Sequence, residues 1–257
     1  MVEKNSKKLS ASFEENIRYI NETLPVKESF DIIRREMEIG GKASVFYYID
    51  GFIKDEAMLK IMDSFLSISE DDLPEDAEGF MRKNVPYVEV DIAEDFDQVI
   101  RNVLSGAAAL FIEGYKESII IDCRTYPARS VDEPDKDKSL RGSRDGFVET
   151  IVFNTALMRR RIRDPHLVME MTEAGQDSRT DIAICYMSDR VDKELLDNLK
   201  NRIDSLNVDD LRMNQQSLAE ALFKRKWFNP FPKFKFTERP DTAAACLLEG
   251  KVVILVD

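Results

Sequence analysis

Apolar residues near the start of the chain recur at the spacing of an amphipathic helix. The pattern covers 13–24, and Ser12 with Glu15 forms a capping-box signature at its beginning. A second helical pattern covers 29–39, and the Gly40-Gly41 pair is expected to end it. The sequence therefore predicts two helices before the first strand.

The rest of the first half alternates between helical periods and runs of β-branched or aromatic residues. The run at 43–49 predicts a buried strand, and the four residues from Glu113 to Lys116 are typical of a hairpin turn. The other predicted elements are strands at 87–90, 107–112 and 118–123, helices at 58–66 and at 96–104 (closed by Gly106), and an acidic loop at 69–78.

The stretch 124–146 has a different character from its surroundings. It contains prolines, alternating charges and two glycines, and it shows no apolar period. Such a composition favours a connector between two folded parts. The predicted organisation is an N-terminal α/β lobe at 1–123, a connector at 124–146 and a C-terminal α/β lobe at 147–257.

Helices and strands also alternate in the second half of the chain. The predicted elements are helices at 148–162, 195–206, 215–223 and 240–248, and strands at 167–171, 181–187, 233–236 and 252–256. This alternation predicts an α/β fold class with mixed sheets flanked by helices in each lobe. The last strand runs to Asp257 without a tail, which suggests a piece of a longer protein.

Composition excludes several classes of function. The chain has 49 acidic and 37 basic residues and a net charge of −12, which disfavours non-specific binding to nucleic acid. No secretory signal is present, and the longest uncharged stretch, 102–112, is far shorter than the roughly 20 residues of a membrane helix. The chain is therefore expected to be soluble and cytoplasmic.

Few residues suggest catalysis or metal binding. The three cysteines form no CxxC pair, the single histidine is His166, and no phosphate loop, dinucleotide fingerprint or nucleophile elbow occurs. We therefore expect no catalytic residues, no metal site and no cofactor, and we expect that the protein is not an enzyme.

The most notable polar segment runs from Arg141 to Glu149 and continues into a helix that carries Asn154 and the run Arg159–Arg161. One interpretation is an ion-pair network that braces the junction of the two lobes. The other is a cleft lined with guanidinium groups that binds a carboxylate, a phosphate or an acidic partner surface. The aromatic and proline run at 227–236 likewise suggests either core packing or a docking surface.

Several motifs in sequence order resemble the GerA family, the A subunits of spore germinant receptors. They are the hairpin FIEGYKESIIIDC, the linker VDEPDKDK, the segment RGSRDGF, the helix end RRRIRDP and the C-terminal ERPDTAAACLLEGKVVILVD. The resemblance covers about residues 86–257. Two positions depart from the family pattern, because Ser143 replaces the usual proline and Asp145 the usual glutamate.

The resemblance implies two α/β lobes with a cleft between them, somewhat like solute-binding proteins. It also implies a following membrane domain, other germination membrane proteins as partners, a homo-oligomer, and a place at the spore inner membrane on the cytoplasmic (spore core) side. The implied function is assembly or signal transmission to an ion-conducting membrane domain, with a germinant-binding module in the cleft as the alternative. The residues at the family's motif positions are Arg141, Gly142, Arg144, Asp145, Gly146, Glu149, Asn154, Arg160, Arg161, Glu238, Arg239, Pro240 and Asp241.

Overall fold

A computed structural model describes residues 6–125, 145–175, 179–206, 218–219, 222 and 234–257. The described residues fall into two compact units. The N-terminal unit holds 6–125 together with Arg163–Pro165, and the C-terminal unit holds the remainder. Most of the predicted connector lies outside the described residues, so the lobe boundaries and the cleft stay predictions.

The N-terminal unit is built on a five-stranded sheet with the strand order β1-β2-β4-β5-β3. Its strands are β1 (Ile32–Ile39), β2 (Lys42–Ile49), β3 (Val90–Ala93), β4 (Ala108–Ile112) and β5 (Ser118–Ile121). All four pairings are antiparallel, and tight turns join two of the pairs, β1 to β2 and β4 to β5. The predicted hairpin at Glu113–Lys116 is confirmed.

Helices cover both faces of this sheet. They are α1 (Phe13–Thr23), α2 (Asp55–Leu66), a 3₁₀ turn (Glu70–Asp72), α3 (Ala77–Asn84) and α4 (Phe96–Ser105). On one face, α2 and α3 form an apolar core with the sheet that includes Phe46, Phe65 and Phe80. On the other face, the Tyr47 hydroxyl donates to Asn21 of α1 and the Tyr47 ring meets Phe111 edge-on.

The helix predicted at 29–39 is wrong, because this segment forms β1. Gly40 and Gly41 have φ of +52° and +73° and make a two-residue turn instead of a helix cap. Two successive left-handed residues suit the twist of a β-hairpin, so the chain returns as β2. The strand predicted at 87–90 is shifted to Val90–Ala93, and the acidic loop at 69–78 contains the 3₁₀ turn and the first residues of α3.

The C-terminal unit has a three-stranded antiparallel sheet in the order β6-β7-β8. Its elements are β6 (Leu167–Ala174), β7 (Thr180–Met187), β8 (Val253–Val256), α5 (Ile151–Arg161), α6 (Lys193–Asp204) and α7 (Pro240–Leu248). Leu196, Leu199 and Ile203 of α6 pack on one face of the sheet. Helices α5 and α7 pack on each other and on β7 and β8.

The α/β class is confirmed, with helices flanking each sheet, but every described pairing is antiparallel where mixed sheets were expected. The strand predicted at 233–236 is also wrong, since 234–237 has no regular structure and pairs with no strand of the described chain. The helix predicted at 215–223 lies mostly outside the described residues. No helix described in the structure is long and apolar enough to cross a bilayer.

Candidate functional site

The segment that leads into α5 is held by one buried amide side chain. Asn154 accepts a hydrogen bond from the Val148 backbone N–H at 2.8 Å and donates to the Val148 carbonyl at 2.6 Å. The oxygen and the nitrogen of the Asn154 amide both form hydrogen bonds with Val148. The approach to the helix is therefore fixed before Thr150, the N-cap residue of α5. Asn154 therefore positions the segment that carries Asp145.

The last turn of α5 contains three consecutive arginines that lie in different environments. Arg159 is fully buried, and its Nη2 donates to the Leu167 carbonyl of β6 at 2.9 Å. Arg160, the next residue, is exposed. Arg161 is mostly buried and donates to the Leu157 carbonyl of its own helix. The three side chains differ because successive residues of a helix point about 100° apart.

Arg161 also connects the end of α5 to the segment that precedes the helix. Its Nη2 donates to Asp145 Oδ2 at 2.8 Å, and the two side chains are 18% and 43% exposed. A partly buried ion pair loses less of its attraction to solvent screening than one on the open surface. The pair therefore holds both ends of the α5 region together.

A second pair lies at the start of α7. Arg239 is almost fully buried and binds Asp241 in a two-pronged arrangement, with Nε to Oδ1 at 3.1 Å and Nη2 to Oδ2 at 2.6 Å. Asp241 Oδ1 also accepts the Thr242 backbone N–H. The hydrogen bonds from Arg239 lower the pKa of Asp241 below its usual value, and the charge of Arg161 contributes to the same effect.

The two pairs belong to one arrangement within the C-terminal unit. The Phe147 backbone N–H donates to the Glu238 carbonyl at 2.9 Å, which joins the segment before α5 to the segment before α7. We call Asp145, Arg161, Arg239 and Asp241 the arginine–carboxylate cluster. Both of its acids are paired with arginines, so the cluster is suited to bracing the segments before α5 and α7.

The other predicted site residues are distributed around this cluster. Pro240 is the first residue of α7 and Gly146 is buried. The carbonyl of Glu238 accepts the hydrogen bond from the Phe147 backbone N–H. Glu149 precedes α5 and is exposed. Arg141, Gly142 and Arg144 lie outside the described residues. The role of all these positions in binding a ligand or joining the lobes stays a prediction.

Arg159 was not among the predicted site residues, although it is the largest fully buried side chain among the residues that the structure describes. A signal for it exists in the sequence. Ile151, Thr155, Met158 and Ile162 are buried at helical spacing, and Arg159 lies on the same face. A charged residue on an apolar helix face indicates a buried cation with an internal partner. No group of acidic, cysteine or histidine residues that could hold a metal occurs in the described part of the chain.

The strongest shifts of pKa occur elsewhere and have a different cause. Burial raises the pKa of Tyr47 and of Tyr115 to about 12 and that of Cys123 to about 11. All three lie in the packed N-terminal unit, where the charged form would lose its hydration. These shifts reflect core packing and do not indicate a reactive group.

The family pattern of the Bacillus/Clostridium GerA spore germination proteins matches residues 18–257. The chain belongs to the GerA family. The cluster and the motif segments that carry it all fall within the matched range. The predicted family resemblance is therefore confirmed.

Two relatives from Bacillus subtilis (strain 168) illustrate how the chain compares with full proteins. Stage V sporulation protein AF is 38% identical over 94% of this chain and 49% of its own length. The uncharacterized membrane protein YfkQ is 30% identical over 97% of this chain and 48% of its own length. The chain thus spans about half the length of these relatives.

A solved structure shows the same fold. The N-terminal domain of the A subunit of the Bacillus megaterium spore germinant receptor GerK3 superposes with a TM-score of 0.72 at 24% identity. The match covers 99% of this chain and 94% of that domain. The chain is thus a GerA-family germination protein domain with the fold of a receptor N-terminal domain.

Proposed function

We propose that this chain is the cytoplasmic N-terminal domain of a spore inner-membrane germination protein. In this proposal it acts in assembly, or in signal transmission to an ion-conducting membrane domain that follows Asp257. The half-length match to the relatives supports a further domain, and one relative is named as a membrane protein. Other germination membrane proteins would be its partners at the spore-core side of the membrane.

The observation that carries the proposal is the internal pairing within the arginine–carboxylate cluster. Arg161 and Arg239 bond to carboxylates of their own unit, so much of their hydrogen-bonding capacity serves the fold. The cluster lies at the last residue of α5 and at the first turn of α7. Helix α7 is followed within a few residues by β8. A displacement of α5 would therefore reach the start of α7 through fixed polar contacts, and α7 packs on the last strand.

The test replaces Arg239 by alanine in the full-length protein, in the spore-forming bacterium that carries its gene. Loss of the two-pronged pair leaves Asp241 without its main partner and loosens the start of α7. We expect germination to slow about fivefold or more, because typical coupling free energies between sites correspond to factors of about 5 to 150. Time courses of germination and the amount of protein in the inner membrane are measured together.

These two readouts separate the two roles. A normal amount of membrane protein with slow germination indicates signal transmission, whereas loss from the membrane indicates assembly. Lys193→Ala is the matched control, because it also removes a positive charge from the C-terminal unit but Lys193 is exposed. Normal germination with a normal amount of the Arg239→Ala protein would contradict the proposal.

A small-molecule germinant module is the alternative function. It predicts that an amino acid or a sugar stabilises the 257-residue chain, by about 2.7 kcal/mol at 100 times its Kd. A thermal-shift screen against such compounds measures this directly. A shift that disappears in the Arg239→Ala variant would favour ligand binding over assembly or transmission.

A further inference from the structure

The apolar face of α2 is wider than the part that the core of its own unit covers. Three residues of the helix are buried in that core. Beside them, Leu59 and Leu66 are 61% and 63% exposed, and the half-buried Met62 lies between them in sequence. A spacing of three and then four residues places these three side chains in one row, roughly 10 Å long. We call Leu59, Met62 and Leu66 the α2 stripe.

The α2 stripe differs from the rest of the described helical surface. Helices α5, α6 and α7 each expose a single large apolar side chain, which are Phe153, Leu195 and Leu248, and α1, α3 and α4 expose none. Single exposed apolar residues are ordinary on protein surfaces. A row at positions i, i+3 and i+7 is instead the spacing by which one helix packs along another. The stripe is therefore suited to contact with a second helix.

Acidic side chains border the stripe. The exposed Asp55 and Asp63 lie one helical turn before and after Leu59, so each is about 40° from it around the helix. Neither forms an ion pair with a residue that the structure describes. Lys60 is the one base of α2 and points about 100° away from Leu59. The 3₁₀ turn Glu70–Asp72 adds three acids beyond the helix, one of which is paired with a lysine. The border of the stripe is therefore negative.

This charge indicates which occupant fits the stripe. A second copy of α2 would bring Asp55 and Asp63 against the same acids, and like charges across an interface are unfavourable. An anionic lipid surface would be repelled by the same carboxylates and by the net charge of −12. A helix with leucine-like residues along one side and lysine or arginine beside them matches both the apolar row and its border.

We propose that the α2 stripe docks a basic amphipathic helix of another protein. The apolar side of that helix covers Leu59 and Leu66, and the unbranched Met62 side chain adapts to its shape. Its lysine or arginine side chains meet Asp55 and Asp63. The surface belongs to the N-terminal unit, so the proposal does not depend on the arginine–carboxylate cluster or on the role proposed for it.

The first test titrates the 257-residue chain with a synthetic helical peptide of about 18 residues, which has leucines along one side and lysines beside them. A scrambled peptide of the same composition and charge spreads its leucines around the helix. Fluorescence anisotropy between about 1 µM and 1 mM gives the dissociation constants. The amphipathic peptide should bind at least about tenfold more tightly than the scrambled one, and its binding should weaken as salt is added. Equal binding of the two peptides would overturn the proposal, because net charge alone would explain it.

Substitutions then assign the binding to α2. Leu59 and Leu66 are exposed, so the double variant Leu59→Ser/Leu66→Ser keeps the core and should bind the amphipathic peptide about tenfold more weakly. Asp63→Lys places a like charge beside the peptide and should weaken binding about fivefold. The matched controls on α6 are Leu195→Ser and Asp197→Lys, which change exposed side chains of the same types and should bind like the wild type. Binding that is the same in all these variants would contradict the proposal.

The second test locates the bound peptide and checks the other occupants. Backbone amides of α2 should exchange hydrogen more slowly when the amphipathic peptide is bound, and those of α6 should not change. Protection confined to the C-terminal unit would show that the peptide binds elsewhere. A dimer of the chain that Leu66→Ser dissociates would assign the stripe to a second copy. Binding to phosphatidylglycerol vesicles that Leu66→Ser abolishes would assign it to a membrane. Each of these last three results would refute the proposal.

Discussion

Both units hold a sheet between helices with an apolar core, but in the described residues only the C-terminal unit also buries arginine side chains. The N-terminal unit relies on apolar packing, in which Phe46, Phe65 and Phe80 stack between the sheet and α2 and α3. The C-terminal unit places a fully buried arginine, Arg159, between α5 and β6, and a nearly buried one, Arg239, at the start of α7. Two of the segments that resemble the family, RRRIRDP and ERPDTAAACLLEGKVVILVD, carry these two arginines.

This difference changes how each unit should respond to substitution. An apolar core loses stability in proportion to the contacts and volume removed. A unit that contains a buried charge loses stability when the partner of that charge is left without its hydrogen bond. This loss does not depend on the volume of the side chain that is removed. The two units can therefore be distinguished by which kind of substitution damages each of them.

The largest effect is expected from Phe65→Ala. Phe65 is fully buried between Phe46 and Phe80, and its removal should cost about 3–5 kcal/mol in the free energy of unfolding of the N-terminal unit. Urea unfolding gives the magnitude, and hydrogen exchange of β2 and β4 amides assigns it to the unit. Leu66→Ala is the control, because Leu66 is 63% exposed and should cost less than about 0.5 kcal/mol. Equal losses in the two variants would contradict the assigned packing.

A somewhat smaller effect is expected from Arg159→Ala in the C-terminal unit. The change removes the donor to the buried Leu167 carbonyl and leaves a cavity, at a cost of about 3 kcal/mol. Amides of β6 and β7 should lose protection from hydrogen exchange, while those of β2 and β4 keep theirs. The neighbouring Arg160→Ala is the control and should have a much smaller effect, because Arg160 is exposed. Loss of protection in β2 first would show that the units do not respond separately.

The smallest effect is expected from Asp241→Asn and depends on pH. The native pKa of Asp241 lies below its usual value because Arg239 bonds the charged form. Its contribution is therefore present at pH above the unfolded pKa and is lost as pH falls through the lowered native pKa. Because Asp241 is 37% exposed, we expect a difference from wild type of about 1 kcal/mol or less at pH 7. That difference should shrink below about pH 4, which urea unfolding at several pH values measures. A difference that grows with acidity would refute this account.

Local signals in the sequence predicted several elements well. Ser12 caps α1 by accepting the Glu15 backbone N–H, as the capping-box pattern indicated. Gly106 ends α4 at φ +107°, and Pro240 begins α7. These features depend on backbone geometry within a few residues, so the sequence alone contains their physical cause.

The errors occurred where a distant partner decides the structure. The segment 29–39 has an apolar pattern compatible with a helix, but β2 pairs with its residues 32–39. The alternation of Phe234 and Phe236 suggested a strand, but no neighbouring strand pairs with it in the described residues. Sheet formation requires a partner, and a short pattern contains no information about one.

The sequence by itself determined the family, the α/β class and the residue types of the arginine–carboxylate cluster. Only the tertiary structure decided which arginine is buried, that Arg161 meets Asp145, and that Arg239 meets Asp241. The physical reason is that the sequence fixes charge and local backbone preference. Whether a charge faces water or a carbonyl depends on packing between helices and strands that are distant along the chain.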